Sequence, residues 1–320
     1  MDSFAGSWRS WTLSLTKGIL SMWRSVVLPM MMYGTEIYAP SKGALSQMGK
    51  VQCWAGRTIL AAAPSTSNKI IYSEMGWIPP KQMAAKYLIM FTGRVMRGQC
   101  AITQKLMHQA QQYDIKWSKL VNSTYQMCNC PYVDGSKWPE WQEIVHKLVQ
   151  TWGQNDIAKE NKWGSVLAQE YSKYCYGFED VHEIIKYGGK ACTSLLRLRS
   201  HSLPIAMVTG RREGHIPRYQ RICPKCKLEP EDTFHFLLRC PATQQTRDKL
   251  YAQLEKGLLS LAIKSKTREM VLYGITNSEI RRFMAMGTFP PTWGMLGYLQ
   301  PIIVKWAIQM TQQLWQTRQK

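Results

Sequence analysis

Apolar residues recur at helical spacing through the first sixty positions of the chain. Large apolar side chains return every three or four residues, which is the period of one buried helix face. Pro29 is expected to kink or end this stretch, and Gly34 to close a buried corner formed by residues 30–34. Another apolar-faced helix is expected over 47–63. Its core candidates are Val51, Trp54, Ile59 and Leu60.

A further helix is indicated after a cluster of turn residues at 65–68. It begins near Lys81 and runs towards Arg97, with apolar residues again at helical spacing. Its basic side chains fit two interpretations, a rim that faces phosphate or an ordinary solvated helix face. They are Lys81, Lys86, Arg94 and Arg97.

The clearest amphipathic pattern lies at 141–152. Apolar residues recur there at spacings of three and four, which predicts a helix with one buried face. The Gly-Gln-Asn sequence at 153–155 indicates a turn, and the pattern at 163–174 predicts a second helix antiparallel to the first. The apolar positions of the first helix are Trp141, Ile144, Val145, Leu148, Val149 and Trp152.

The C-terminal part of the chain is also helical in pattern. One helix is expected after Pro241 and another over 304–314. Residues 283–304 carry no charge and are long enough to span a bilayer, but their prolines and glycines interrupt any continuous helix. We therefore expect a proline-broken segment packed against protein. Since no stretch alternates like a strand, the predicted fold class is mainly α.

Four residues in a short span have the spacing of a structural zinc site. Cys223, Cys226, His235 and Cys240 follow the order C-x2-C-x8-H-x4-C, and such sites fill all four tetrahedral positions with protein ligands. A Cys-x-x-Cys turn directs two thiolates at one ion, while the other two ligands reach it from one helical turn or its frayed end. Chance proximity of ordinary thiols is the alternative. A catalytic zinc would need an open position, and the deaminase and metalloprotease motifs are both incomplete.

Charge and cysteine content narrow the class of partner. Among 320 residues, 41 Lys and Arg against 21 Asp and Glu give a net charge of +20. A charge of this size favours nucleic acid as the partner, with an anionic membrane surface as the competing interpretation. The nine cysteines are spaced for a metal site rather than a disulfide framework, and the first residues lack the pattern of a secretory signal. We therefore expect an intracellular protein of the nucleus or cytoplasm.

The basic residues concentrate just before and within the proposed zinc site. Between residues 186 and 227, ten Lys and Arg face the single acidic residue Glu213. Such a one-signed segment predicts contacts with the phosphates of RNA or DNA, although a solvated basic loop is the alternative. The polar stretch 209–215 is expected to be a loop. The candidate phosphate contacts are Arg197, Arg199, Arg211, Arg212, Arg218 and Arg221.

The residues from 195 to 241 also resemble a known family. The motifs are Arg197-Leu198-Arg199, Gly210-Arg211, Arg221-Ile222-Cys223-Pro224, Cys226, Glu231-Asp232, His235, Leu237-Leu238 and Cys240-Pro241. Together they resemble the zinc-binding region near the C-terminus of non-LTR retrotransposon reverse transcriptases. More loosely, 26–34, 52–59 and 74–79 look like the thumb and linker that follow the polymerase palm. The resemblance covers most of residues 15–250.

The resemblance implies a helical thumb and linker, a small zinc-knuckle module and a C-terminal helical tail. The expected segments are 1–100, 101–190, 191–245 and 246–320. The family's polymerase activity needs palm aspartates, including an adjacent pair, and this chain contains no Asp-Asp pair. We therefore expect no enzyme activity from this chain, a palm that would precede Met1, and the reverse-transcriptase core as a further partner. A non-enzymatic scaffold tied together by zinc is the rival hypothesis.

Overall fold

The computed structural model describes most of the chain at the level of individual residues. The described residues form a mostly helical structure without a β-strand, as the predicted fold class required. Within them, an isolated antiparallel bridge joins Ile222 and Pro230. The described ranges are 18–38, 40–98, 100–128, 138–161, 184, 192–212, 216–259, 265–290 and 298–319.

The α-helices of the described residues are numbered in chain order. In the first half of the chain they are α1 (Leu28–Met32), α2 (Thr35–Tyr38), α3 (Lys42–Leu60), α4 (Asn68–Met75), α5 (Pro80–Arg97), α6 (Ala101–Gln112), α7 (Lys116–Cys128) and α8 (Trp138–Asn161). In the second half they are α9 (Cys192–Arg199), α10 (Ala206–Arg212), α11 (Gln244–Leu259), α12 (Ser265–Thr276), α13 (Ser278–Ala285) and α14 (Gln300–Gln319).

The chain divides into two compact units, each built from separate stretches of sequence. The first unit consists of Gly18–Ala55 and Trp77–Gly164. The second unit includes Gly56–Gly76 and Ser165–Lys320, and it therefore contains the predicted metal ligands.

Helix α5 is the centre of the first unit. It packs against α2, α7 and α8 through an apolar face. Ile89 of α5 lies in a buried cluster with Trp141, Val145 and Val149 of α8, which confirms the predicted apolar face of α8. The indole of Trp23 stacks on that of Trp77 with ring centroids 4.8 Å apart, which is a further packing contact within this unit.

Helix α14 is the centre of the second unit. It packs against α9, α11 and α13, and most of its residues from Ile303 to Leu314 are buried. Its Trp306 indole donates a hydrogen bond to the backbone carbonyl of Leu250 in α11, so even its polar atom is satisfied inside the core. The predicted terminal helix is confirmed, and it is longer than the apolar stripe alone indicated.

The first helical stretch does not end at Pro29. A π-helical turn, Trp23–Val27, leads directly into α1, and Pro29 occupies the first turn of α1. Proline has no N–H to donate, so it is tolerated where the wider π turn gives way to the next helix. Gly34 has a φ of +73° and closes the corner as predicted. The corner is only partly buried, however, because Met32 is enclosed while Met30 and Tyr33 are exposed.

Two further sequence predictions in the first unit were wrong. Val51 and Trp54 are exposed rather than in the core, because the buried face of α3 in this region includes Gln52 and Cys53. Gln52 is held inside by a hydrogen bond from its side-chain amide to the carbonyl of Ile78. The predicted turn at 153–155 is instead a continuous part of α8, since an isolated glycine costs a helix only about 1 kcal/mol. The second helix predicted at 163–174 lies outside the described residues.

The uncharged segment 283–304 is broken, as its prolines and glycines predicted. Helix α13 ends at Ala285, Gly287 adopts a φ of +76°, and helix α14 begins only at Gln300. Many of the described residues on both sides, including Met284 and Val304, are buried in the second unit, whereas Tyr298 is exposed. In the part of the chain that the structure describes, no helix combines the length and the apolar character needed to cross a bilayer.

Candidate metal centre and adjacent basic surface

The four predicted ligands converge on one point. The candidate ligand atoms of Cys223, Cys226, His235 and Cys240 all lie within 4.8 Å of one another. The sulfurs of Cys223 and Cys240 are 3.8 Å apart, and the sulfur of Cys226 is 3.5 Å from Nε2 of His235. Cys223, His235 and Cys240 are buried, and Cys226 is partly exposed. This cluster could hold one metal ion.

A tight turn presents the first two ligands. The backbone N–H of Lys227 donates to the carbonyl of Cys223, which closes the loop around Pro224 and Lys225. Lys227 adopts a φ of +59°, so the chain reverses immediately after Cys226. The N–H of Cys223 in turn donates to the carbonyl of Glu229, and both thiols therefore face the interior of the loop.

A π-helical turn presents the other two ligands. It spans His235–Arg239, and its defining bond runs from the N–H of Cys240 to the carbonyl of His235. In an α-helix, residues five apart are rotated by roughly 140° around the axis and could not face one ion. The i to i+5 bond of the π turn brings them to the same side. The x4 spacing between His235 and Cys240 thus depends on an unusual local helix.

Carboxylates surround the cluster and fix its geometry. Nδ1 of His235 lies 3.0 Å from a carboxylate oxygen of Glu229, without the alignment of a full hydrogen bond, and leaves Nε2 directed at the thiols. The Asp232 carboxylate accepts the backbone N–H of His235 and binds the guanidinium of Arg239. Glu229 thus lies where the outer partner of a metal-binding histidine would, and Asp232 holds the backbone of His235.

Burial and hydrogen bonds shift the pKa values of two of the thiols in opposite directions. Burial raises the pKa of the Cys223 thiol to about 12. Burial acts in the same direction on Cys226, but hydrogen bonds from the backbone of Leu228 and from neighbouring thiols outweigh it and leave the pKa of Cys226 lowered. A metal cation binding here must displace thiol protons, which is the usual linkage between metal binding and pH.

Two arginines, the buried Arg247 and the partly exposed Arg318, tie the cluster to the helices around it. The guanidinium of Arg247 in α11 donates to the carbonyl of Cys240 and to the hydroxyl of Thr243, both at 2.6 Å. The guanidinium of Arg318 in α14 forms two bonds, of 2.7 and 2.9 Å, with the buried carboxylate of Glu231. Glu231 also accepts the N–H of Ala206 and lies 3.9 Å from the sulfur of Cys223.

An aromatic contact completes this docking. The ring of Phe236, on the π turn, meets the indole of Trp315 in α14 edge to face, with centroids 6.3 Å apart. Arg318 stacks over the same indole at 5.2 Å from its centre. The π turn and the last two turns of α14 therefore form one packed structure.

Three of the six predicted phosphate contacts form hydrogen bonds with groups of the protein itself. Arg199 is fully buried; it pairs with Glu74 at 2.8 Å and donates to the carbonyl of Met286, so no phosphate can reach it. Arg197 donates to the carbonyl of Ala61. Arg221 donates to the carbonyls of Ile216 and Met207, and its aliphatic chain fills the space beside Gly210. The assignment of Arg199 as a phosphate contact was wrong, because its charge is already compensated inside the protein.

The remaining predicted contacts lie at the surface where the structure describes them. Arg211, in the last turn of α10, and Arg218 are exposed, while the side chain of Arg212 lies outside the described residues. The N–H of Ile216 donates to the carbonyl of Gly210. This hydrogen bond brings the backbone next to Arg211 close to the backbone that leads to Arg218. The predicted polar loop is helical over Thr209–Arg212, so Arg211 projects from a helix rather than from a loop.

The basic residues of α5 have mixed surroundings. Lys86 lies 2.8 Å from Nδ1 of His146, and burial lowers the pKa of Lys86. Lys81 stacks over the indole of Trp152 at 5.4 Å. Arg94 and Arg97 are exposed. Two of the four cations thus contact other side chains of the first unit, which fits packing better than a uniform rim facing phosphate.

No pattern in the sequence indicated which distant residues support the cluster from outside it. Glu231 was part of the recognised motif, but its partner Arg318 lies 87 residues further along the chain. No local pattern links such distant charges.

The comparisons with models of protein families, with curated proteins and with solved structures found no match.

Proposed function

We propose that this chain is a zinc-stabilised, non-catalytic module that binds the backbone of RNA or DNA. The observation that carries the proposal is that two exposed cations, Arg211 and Arg218, lie in the segment just before the Cys3His cluster. The motif around the cluster also supports an origin in the C-terminal part of a non-LTR retrotransposon reverse transcriptase. In that setting the polymerase core would be a further partner.

Zinc is the ion that best fits the cluster. Bond lengths of about 2.3 Å to sulfur and about 2.0 Å to nitrogen separate two sulfurs of a tetrahedron by about 3.8 Å, and sulfur from nitrogen by about 3.5 Å. Two separations agree with these values: 3.8 Å between the sulfurs of Cys223 and Cys240, and 3.5 Å between the sulfur of Cys226 and Nε2 of His235. Four protein ligands leave no open position, so the ion would hold the turns together rather than activate water.

The nucleic-acid proposal makes a quantitative claim about salt. Each phosphate that a Lys or Arg neutralises makes the logarithm of the binding constant fall by roughly 0.7–0.9 per tenfold rise in salt. We expect the purified chain to bind a labelled single-stranded oligonucleotide with such a slope in fluorescence anisotropy. A binding constant that does not change with salt would contradict the proposal.

A charge-reversal pair tests whether the contact lies beside the metal cluster. R211E/R218E should weaken binding about tenfold or more and reduce the salt slope by roughly 0.7–0.9 for each lost contact. The matched control is K105E/K116E, which changes the net charge equally at exposed lysines of the first unit. Equal losses in both variants would mean that overall charge, not this surface, attracts the nucleic acid.

The rival function is a scaffold in which zinc only ties helices together. The internal roles of Arg197, Arg199 and Arg221 favour it, because part of the basic sequence is explained without any ligand. Under this alternative R211E/R218E leaves any nucleic-acid affinity unchanged. The same titration therefore separates the two functions.

A further inference from the structure

An exposed tyrosine stands on the turn between the basic surface and the metal cluster. Tyr219 is the middle residue of a 3-10 turn, Arg218–Gln220, and 70% of its side chain is exposed. The preceding Pro217 has a φ of −54°, and its carbonyl accepts the N–H of Gln220 to close the turn. The aromatic ring therefore projects from a defined turn.

Contacts on both sides hold this turn in place. Before it, the Arg221 guanidinium reaches back to the carbonyl of Ile216 at 2.8 Å and to that of Met207 at 2.7 Å. After it, Ile222 pairs with Pro230, and Cys223 enters the metal cluster. A side chain presented on a pinned turn loses less conformational freedom on binding than one on a loose loop.

In the sequence, Tyr219 lies in a cationic and apolar segment that ends before Glu229. From Ile216 to Leu228 the sequence contains Arg218, Arg221, Lys225 and Lys227 and no Asp or Glu. Leu228 and Ile222 are also exposed on this stretch. Nε2 of Gln220 lies 3.4 Å from the Tyr219 hydroxyl and supplies a polar group beside the ring.

We propose that Tyr219 is a stacking platform for an unpaired base, so that the ligand of this surface is single-stranded nucleic acid. Cations that follow a phosphate backbone beside a rigid aromatic ring are the combination that single-strand-binding proteins use. A duplex buries the faces of its bases in its own stack and offers the ring nothing to contact. This inference rests on the nucleic-acid binding proposed above and adds the strand state of the ligand.

The test compares the wild type with Tyr219→Ala on four ligands of equal length. These are a single-stranded RNA, the same sequence as DNA, an abasic single strand and the matched duplex. Tyr219→Ala should weaken binding to the base-bearing single strands by roughly 5- to 150-fold and leave the duplex and the abasic strand unaffected. Tyr219→Trp should preserve the affinity, and the salt slope should stay constant because no charge is removed. The stronger of the RNA and DNA arms identifies the source of the strand.

A matched control separates stacking from a general effect of removing an exposed ring. Tyr113 of the first unit is 72% exposed, so Tyr113→Ala removes an equivalent side chain from another surface. It should leave all four affinities unchanged. Metal content and melting temperature of both variants should equal those of the wild type, since neither ring is buried.

Each outcome separates this inference from the function on which it rests. If R211E/R218E weakens binding while Tyr219→Ala does not, the nucleic-acid surface stands and the stacking platform is overturned. If Tyr219→Ala weakens binding to the duplex and the abasic strand as much as binding to the base-bearing single strands, the ring does not stack on bases and the inference fails. If neither variant changes any affinity, both proposals fail, and the exposed ring with Leu228 becomes a contact for a protein instead.

Discussion

An arginine in a basic segment can neutralise a phosphate of a ligand or a carboxylate of its own protein. The sequence could not distinguish these roles, because Arg199 and Arg211 lie in similar local surroundings. Arg199 pairs with Glu74, 125 residues earlier in the chain, whereas Arg211 ends a helix at the surface. Burial decides between the two roles, and burial depends on the packing of distant elements.

We predict that Arg199→Met destabilises the protein by about 3–5 kcal/mol, because it leaves the Glu74 carboxylate buried without its partner. Urea unfolding followed by circular dichroism would measure this loss. The double variant Arg199→Met/Glu74→Leu should lose less than the sum of the two single changes, since it removes both charges together.

Arg211→Met serves as the control for this prediction. Arg211 is exposed, and an exposed substitution should alter stability by no more than about 0.5 kcal/mol. Similar losses of unfolding free energy for Arg199→Met and Arg211→Met would show that the buried Arg199–Glu74 pair contributes no more to stability than an exposed arginine.

At the scale of single elements, spacing predicted the ligands but not the helix that carries two of them. The C-x2-C turn follows from two ligands and a proline between them, and it was confirmed. The interval between His235 and Cys240 left open a helical turn or its frayed end. The structure has a π turn, because an α-helical turn cannot direct residues five apart at one ion.

We predict that deletion of Leu238 abolishes tight zinc binding. The deletion shortens the interval to four residues, so the i to i+5 bond between His235 and Cys240 can no longer form. Leu238→Ala keeps the interval and is the matched control. Zinc per chain, measured by elemental analysis after dialysis, should be about one for the control and near zero for the deletion. Full zinc content in the deletion variant would show that the π turn is not required.

The final helix also contacts the surroundings of the candidate metal cluster. We predict that Arg318→Met speeds transfer of zinc to a chelator, because Glu231 loses a two-bond partner beside Cys223. Arg318→Lys should restore part of the retention, since lysine keeps the charge but not the forked geometry. The measurement is the rate of zinc release in the presence of a chromogenic chelator. Identical rates in all three proteins would mean that α14 does not stabilise the cluster.

At the scale of the whole molecule, a change in composition can define only a continuous segment of the sequence. The two compact units are instead each built from separate segments. The first unit joins Gly18–Ala55 to Trp77–Gly164, and the intervening Gly56–Gly76 belongs to the second unit. Within the second unit, the hydroxyls of Thr66 and Ser202 are 2.9 Å apart, a contact between residues 136 positions apart. Helical periodicity reports which face of an element is buried, but it does not report against which element.

The two units predict a selective response to metal removal. The first unit has its own buried cluster around Ile89 and Val145, without any ligand of the metal centre. In the second unit, the cluster is joined to α11 through Arg247 and to α14 through Arg318. Chelation should therefore weaken α11 and α14 together, because metal binding and folding are coupled at such sites.

Hydrogen exchange with and without a chelator measures this response along the full chain. We expect peptides from 216–259 and 300–319 to lose protection when zinc is removed, while peptides from α5 and α8 keep it, because protection follows the stability of the local cooperative unit. Cys240→Ser should reproduce the pattern without a chelator. Equal loss in both units would show that they unfold as one. No loss in α14 would show that the ion pair between Arg318 and the buried Glu231 holds the helix without the metal.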